Sequence, residues 1–433
     1  MSNISDSAGS AGVAGTAASS PLTAMPPTTS VPAQRRRYPM FAIPLAMISL
    51  VIVLLPPSAI TMTLRLRELD PAAAATNLSI VLGVGAFFAF FTGPIAGRIS
   101  DRTTSRFGMR KPWILAGAAG LYLGIVVIAF APNVLVMTLG WSFCQISFNF
   151  ALAALVAMLP DQVSASRRGR VASFFNLAQY AGFTAASFFV QLFPIGMVQN
   201  LAPSLIGLIA VFAIILPVRD RVRRDKPSGT FGLKQLFGSF VFNPRKYPDL
   251  GWAWLTRFGV GIGYATATSY LAVFLLDHIG VPEADAPALV FQANLASTIG
   301  LTVSTVLVGW LSDKLGRRKP FVFIAAFVAM AGLIMLAVAG DFSTVVVAEV
   351  IIGLGSGAFF AVDLALITEV LPSPETSGKD LGVVNIAQAL PQSLVPALAP
   401  SVIGAFGYPG LFIGGAATGI LGAFAVLKVK KVR

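Results

Sequence analysis

Charge, histidine and sulfur are scarce in this chain. One cysteine (Cys144) and one histidine (His278) occur among 433 residues. That excludes an intrachain disulfide, a Cys/His zinc site and any catalytic centre that turns on histidine. Charged side chains make up 11% of the residues, where a soluble domain carries roughly 25%. With 56% hydrophobic residues and a mean hydropathy of +0.79, a soluble globular protein is excluded. Acids are scarcer than bases, 18 against 31. In a soluble chain that excess suggests nucleic acid, but in a membrane chain it is the expected result of basic loops kept on one side, so no nucleic-acid partner is expected. The short period-two segments of a transmembrane β-barrel are missing as well.

What is present are long, continuous apolar runs. They begin near residues 40, 77, 113, 134, 172 and 200 and, after a break, near 251, 288, 321, 343, 383 and 408. A spanning helix takes about 20 residues, so the pattern predicts an all-α polytopic membrane protein with twelve transmembrane helices in two sets of six. Residues 1–37 are rich in Ala, Gly, Ser, Thr and Pro and predict a disordered cytoplasmic tail. No apolar segment precedes Arg35, Arg36 and Arg37, so this is not read as a cleavable signal. Residues 38–218 form the expected N-terminal bundle, 219–250 a cytoplasmic linker, 251–427 the C-terminal bundle and 428–433 a basic cytoplasmic tail. In the linker, Phe231, Leu233, Leu236, Phe237, Phe240 and Phe242 recur at roughly helical spacing. They fit either a helix lying on the membrane surface or an irregular loop with apolar anchors. A cytoplasmic start places every basic residue except Arg65, Arg67 and Arg257 on the cytoplasmic side. A multi-pass protein of the plasma membrane with both termini inside is therefore expected.

The two sets repeat one another. The loop after span 2 reads Gly97-Arg98-Ile99-Ser100-Asp101-Arg102 and closes with Arg110-Lys111-Pro112; the loop after span 8 reads Gly309-Trp310-Leu311-Ser312-Asp313-Lys314 and closes with Arg317-Arg318-Lys319-Pro320. Leu159-Pro160 with Asn176 and Gln179 matches Leu371-Pro372 with Asn385 and Gln388. The chain is a duplicated six-helix unit with both copies in one orientation.

Residues Gly309 to Lys319 resemble the loop signature of the major facilitator superfamily, G-x-x-x-D-(R/K)-x-G-R-R, and the resemblance covers nearly everything after residue 38. The first copy departs from it: Thr103 to Arg106 lengthen the loop, and Met109 stands where the first Arg of the pair is expected. Its form, Ser100-Asp101-Arg102-Thr103-Thr104-Ser105-Arg106-Phe107-Gly108, is similar to that of the sugar and sucrose-type proton symporters and their bacterial relatives. The resemblance implies a secondary transporter, not an enzyme, that moves a small-molecule substrate by alternating access between its halves. It implies a monomer in the lipid bilayer, no metal or cofactor, and a proton gradient, with sodium as the alternative driving ion.

Asp101, Arg102 and Arg110 in one loop, and Asp313, Lys314, Arg317 and Arg318 in the other, have the chemistry of a cytoplasmic latch that pairs with neighbouring helices and breaks as the halves rock. The alternative is that the basic residues only fix topology. Within spans, ionisable groups are costly and face cavities or partners. In span 10, Glu349, Gly353, Ser356, Phe360 and Asp363 share a face, with about 21 Å between the two acids. In span 7, Arg257 shares a stripe with Gly261, Tyr264 and Thr268. Asp363, Glu349 and Arg257 are the candidates for proton coupling; a permanent Asp363–Arg257 ion pair with no coupling role is the alternative. Amides in a bilayer face protein or water. Gln145, Asn149, Tyr264 and Gln292 are the deeper candidates for a hydroxyl-rich substrate, while Gln179, Asn385 and Gln388 are candidates that also fit hydrogen bonding between duplicated helices. The neutral amides and the sub-family resemblance favour a sugar or glycoside carried by proton symport. The runner-up is proton-coupled efflux of drugs or metabolites, which the Phe and Met content suits, although span 5 lacks the Gly-Pro motif and span 4 the Arg of the drug-proton antiporters.

Overall fold

Proline and glycine set the helix boundaries. The computed structural model describes residues 39–163, 165–222, 245, 247–370 and 377–430; the expected tail and the 231–242 stretch of the linker lie outside them. Helix α1 begins as Pro39–Pro56, widens into a π turn over Pro57–Thr61 and continues as Met62–Leu69. Two successive prolines remove two N–H donors, yet Pro56 and Met62 keep helical dihedrals, so α1 remains one span. The Thr61 hydroxyl donates to the Pro56 carbonyl at 2.8 Å, closing the widened turn. The others are α2 (Ala74–Asp101), α3 (Lys111–Ala129), α4 (Val134–Gln162), α5 (Ala165–Gln191) and α6 (Met197–Ile215), then α7 (Pro248–Asp277), α8 (Ala286–Leu315), α9 (Lys319–Ala337) and α10 (Phe342–Val370). Ser377–Val426 holds α11 and α12, parted at Gly407, whose φ of +67° and ψ of −174° only glycine adopts readily. Among the described residues these make twelve helices, the number of spans expected.

Local chemistry explains the ends. Proline opens α3, α7, α8 and α9, where a helix has no use for the missing N–H. Asn133 caps α4 by accepting from the Val136 N–H at 3.0 Å, and Asp341 caps α10 through the Thr344 N–H at 2.9 Å. Gly316, at φ +60°, ends α8.

The C-terminal half is assembled around α10. Gly353 and Gly357 lie against the backbone of α8 at Ser297 and Leu301, and Gly355 lies against Ala329 of α9, where a Cβ would collide. Small residues let helix backbones approach in a medium that offers no hydrophobic force between them. Large side chains such as Leu139, Ile299, Val306, Trp310 and Leu421 stay exposed, as surfaces solvated by lipid tails require. The halves meet along α2 with the Ser377–Val426 helices and α5 with α8.

Candidate transport site between the halves

The centre of the C-terminal half holds a buried ion pair. Arg257 of α7 and Asp363 of α10 approach to 3.0 Å, with side chains 11% and 2% exposed. The second terminal nitrogen of Arg257 donates to the Gln388 side chain of α11, so one guanidinium ties three helices. Gly261, one turn along α7, makes this possible: Pro391 and Ala387 of α11 occupy the space a side chain would fill. Gln388 therefore serves the arginine, not its duplicate Gln179, which lies half-buried on α5. Both Asp363 oxygens are without a hydrogen bond among the described residues, so the cation is its one compensation. Glu349, the other acid on this face, is buried beside the Ser297 hydroxyl of α8.

One step toward the opposite end, three rings join the halves. Tyr264 of α7 meets Phe360 of α10 edge-on at 5.6 Å, and Phe360 stacks on Tyr180 of α5 at 6.1 Å. Further along, Thr184 of α5 and Thr298 of α8 share a hydrogen bond of 2.7 Å, Asn294 donates to Ser187 at 3.0 Å, and Phe188 packs on Phe291 at 5.5 Å. Ser79 of α2 and Tyr270 of α7 share another at 2.7 Å. At the end itself, Arg67 of α1 pairs with Asp277 at 2.8 Å and Glu283 at 3.2 Å, and the Tyr408 hydroxyl donates to Asp277 at 2.8 Å. These contacts clasp the halves at the end away from the basic loops.

The basic loops make a different kind of contact. Arg110 pairs with Asp101 at 2.6 Å and with Asp161 of α4 at 3.1 Å, and donates to the Ser100 hydroxyl. Arg318 repeats this with Asp313 at 2.5 Å, Glu369 of α10 at 3.5 Å and Ser312. Among the described residues, these partners of Arg110 and of Arg318 lie in the same half as the arginine they pair with. Lys314 stands 4.9 Å over the Trp310 ring, and the Arg317 carbonyl accepts from Ser312. Arg102 follows the last turn of α2 as its C-cap.

Gln145 and Asn149 lie on the face of α4 that meets α2, beside the room left by Gly85 and Gly93. Both are half-buried near the middle of the span, and Asn149 also donates to the Gln145 carbonyl at 2.8 Å. Gln292 departs from expectation. It is exposed on the stripe of α8 that carries Leu295, Ile299, Val303, Val306 and Trp310, opposite Asn294 and Thr298; a two-residue shift in register decides which amide meets α5. The side chain of Asn385 lies outside the described residues.

Sequence reasoning missed the clasp at Arg67 and the acids Asp161 and Glu369. A signal for the latter exists: the spacing of 208 residues from Arg110 to Arg318 also separates Asp161 from Glu369. Arg67 and Asp277 have no such pattern. Among the described residues no group of three or more His, Cys, Asp or Glu is placed to hold a metal ion.

Comparison with known proteins agrees with this architecture. The profile of the Major Facilitator Superfamily matches residues 38–301 and 293–433. A sucrose transport protein of Arabidopsis thaliana is 32% identical over 81 residues, 19% of this chain and 15% of the relative. A multidrug resistance protein B homolog of Mycobacterium tuberculosis is 27% identical over 182 residues, 39% of this chain and 32% of the relative. The matched stretches thus span under a third of either relative. The crystal structure of a nucleoside transporter superposes with a TM-score of 0.71 over 90% of this chain and 100% of that one, at 14% identity, a likeness of fold. A duplicated six-helix bundle, a buried charge pair within the C-terminal half and a profile covering both copies lead to one conclusion: the chain belongs to the Major Facilitator Superfamily and is a multi-pass membrane transporter, not an enzyme.

Proposed function

We propose that this transporter carries a sugar or glycoside by alternating access in symport with protons, as a monomer in the plasma membrane. The carrying observation is the buried Arg257–Asp363 pair, whose carboxylate has no hydrogen bond to hold it ionised and whose cation is shared with α11. A proton on Asp363 cancels the attraction and leaves Arg257 to Gln388, loosening α10 from α7 and α11; loss of the proton restores it. The rings of Tyr180, Tyr264 and Phe360 offer apolar faces to a pyranose, and Gln145 and Asn149 offer amides that both donate and accept. Positive-inside bias puts the basic loops in the cytoplasm, so a clasp at the opposite end corresponds to a state open inward.

The test is uptake of a labelled disaccharide panel into proteoliposomes with and without an inward proton gradient, for the unmodified protein and Asp363→Asn. Gradient-driven accumulation that falls to passive exchange in the variant supports the reading. If no sugar accumulates under any gradient, the sugar assignment fails. Efflux of an apolar compound is the second reading, favoured by the three rings beside the ion pair and by the likeness to the multidrug relative. The same vesicles loaded with a dye distinguish it.

A further inference from the structure

Glu349 belongs neither to the Arg257–Asp363 pair nor to the clasp. It lies in α10 about 10 Å along the axis from the end of that helix farthest from the basic loops, and it is 5% exposed. The Ser297 hydroxyl of α8 stands beside its carboxyl. Gly353, one turn further along α10, lies against the Ser297 backbone, so the two helices touch here. The same stretch of α8 carries the seam between the halves: Thr298 bonds Thr184 of α5 at 2.7 Å, Asn294 donates to Ser187 at 3.0 Å and Phe291 packs on Phe188 at 5.5 Å. Glu349 is therefore one helix behind the seam.

Among the described residues no Lys or Arg is placed to offset a charge on this acid. Helix α10 packs against α7, α8 and α9. From α7 the group that faces Glu349 is the Tyr264 hydroxyl, a phenol and not a cation. Helix α8 presents Ser297, with its Asp313 and Lys314 at the basic-loop end, and the one charged residue of α9 is Lys319, at that same end. On α10 itself Asp341 lies about 12 Å outward and Asp363 about 21 Å inward, where it occupies Arg257. Arg67 is taken by Asp277 and Glu283. An ionised carboxylate buried without a cation costs far more than a neutral one. We propose that Glu349 is a proton lock on the outer seam: the halves clasp only after it takes one proton from the outer side, and that proton returns there when the seam opens. Parting of α8 from α5 admits water to the outer ends of α8 and α10, where the carboxylate is solvated and ionises. The lock rests on alternating access between the halves; neither a sugar substrate nor coupling at Asp363 is needed for it.

The test labels a cysteine at position 79, beneath the clasp, with an impermeant maleimide in the purified full chain. Ser79→Cys is compared with Ser79→Cys carrying Glu349→Gln, which keeps the shape of the neutral acid but cannot ionise. Taking the ratio of the two rates at each pH cancels the thiol's own chemistry and the titration of Asp277, Glu283 and His278 at the clasp. The ratio is expected to be near one at about pH 6 and to rise about tenfold or more by about pH 9, because a group protonated in the clasped state stabilises that state below its titration and not above it. The rise is expected to persist when Asp363→Asn is added to both chains. A flat ratio overturns the proposal, and so does a rise that vanishes with Asp363→Asn, since the proton then belongs to the ion pair. Infrared spectroscopy of the Ser79→Cys chain gives a second readout that does not depend on the folding of Glu349→Gln: the carbonyl band of a neutral carboxyl is expected at about pH 6 and is lost by about pH 9 in step with the labelling. Absence of that band overturns the proposal. Failure of the sugar uptake assay leaves these outcomes unchanged, because neither sugar nor gradient enters them.

Discussion

Replacing Arg67 by alanine removes the charged part of the clasp between the halves. The pairs it makes, to Asp277 at 2.8 Å and Glu283 at 3.2 Å, involve side chains 28%, 36% and 56% exposed. Pairs this open contribute about 0.2–1 kcal/mol each after screening. They share one guanidinium and so sum to about 1 kcal/mol, while the Tyr408–Asp277 hydrogen bond survives the change. A shift of that size moves the equilibrium between clasped and opened states about fivefold. Ser79, 4% exposed and bonded to Tyr270 just inside the clasp, is a suitable reporter once changed to cysteine. The native Cys144 is buried and does not compete. In Ser79→Cys, adding Arg67→Ala is expected to raise labelling by an impermeant maleimide about fivefold. Salt near 1 M, where the screening length is about 3 Å, is expected to reproduce part of the effect in the parent. Asp277→Asn added to Arg67→Ala is expected to change little, because the partners act as a unit. A labelling rate that stays within about twofold of the parent, with no response to salt, refutes the reasoning.

Four further outcomes are expected. Asp363→Asn leaves Arg257 charged and buried without its partner and costs about 3–5 kcal/mol in thermal unfolding in detergent, and Arg257→Gln added to it recovers most of the loss. Arg110→Ala costs about 2 kcal/mol and Arg318→Ala about 1 kcal/mol in the same assay, because Asp161 at 20% exposure is more sheltered than Glu369 at 48%. Gly357→Leu drives a side chain into the α8 backbone at Leu301 and costs at least about 1–3 kcal/mol, measured as lost monodisperse protein, whereas Gly414→Leu, facing open space, changes nothing. The Asp341 carboxyl, outside the membrane, is held down to about 2 by the Ser343 hydroxyl and the Thr344 N–H. Its stabilisation is present above its unfolded value of 3.8 and is lost as pH falls through about 2. The Tm gap between the parent and Asp341→Ala therefore closes on acidification over that window; a gap that persists at the acid end refutes the cap.

The helix pattern was legible because a bilayer penalises every unpaired peptide group and leaves only long apolar helices. Even Pro56-Pro57 is absorbed as a π turn without ending α1. The site was legible in part. Arg257 and Asp363 stood out as charges that a span does not tolerate alone, and they do meet. Gln292 was misplaced because a polar residue in a span is visible in sequence while the face it occupies is not. The partners of Arg110 and Arg318 were hidden in the loops' own halves, since the signature shows that an acid is needed but not which helix supplies the second one.

By itself the sequence determined the medium, the helix count, the duplication and the positions of the few charges, all of which follow from hydropathy and spacing along one dimension. Only the tertiary structure decided that Gln388 answers Arg257, that Tyr180 reaches Phe360 across the halves, and that Arg67 closes on Asp277 from 210 residues away. Those pairings depend on how each helix is rotated about its axis and on where the glycines of α7 and α10 allow backbones to touch. Rotation and approach are set by the packing of all twelve helices together, a property no local stretch of sequence carries.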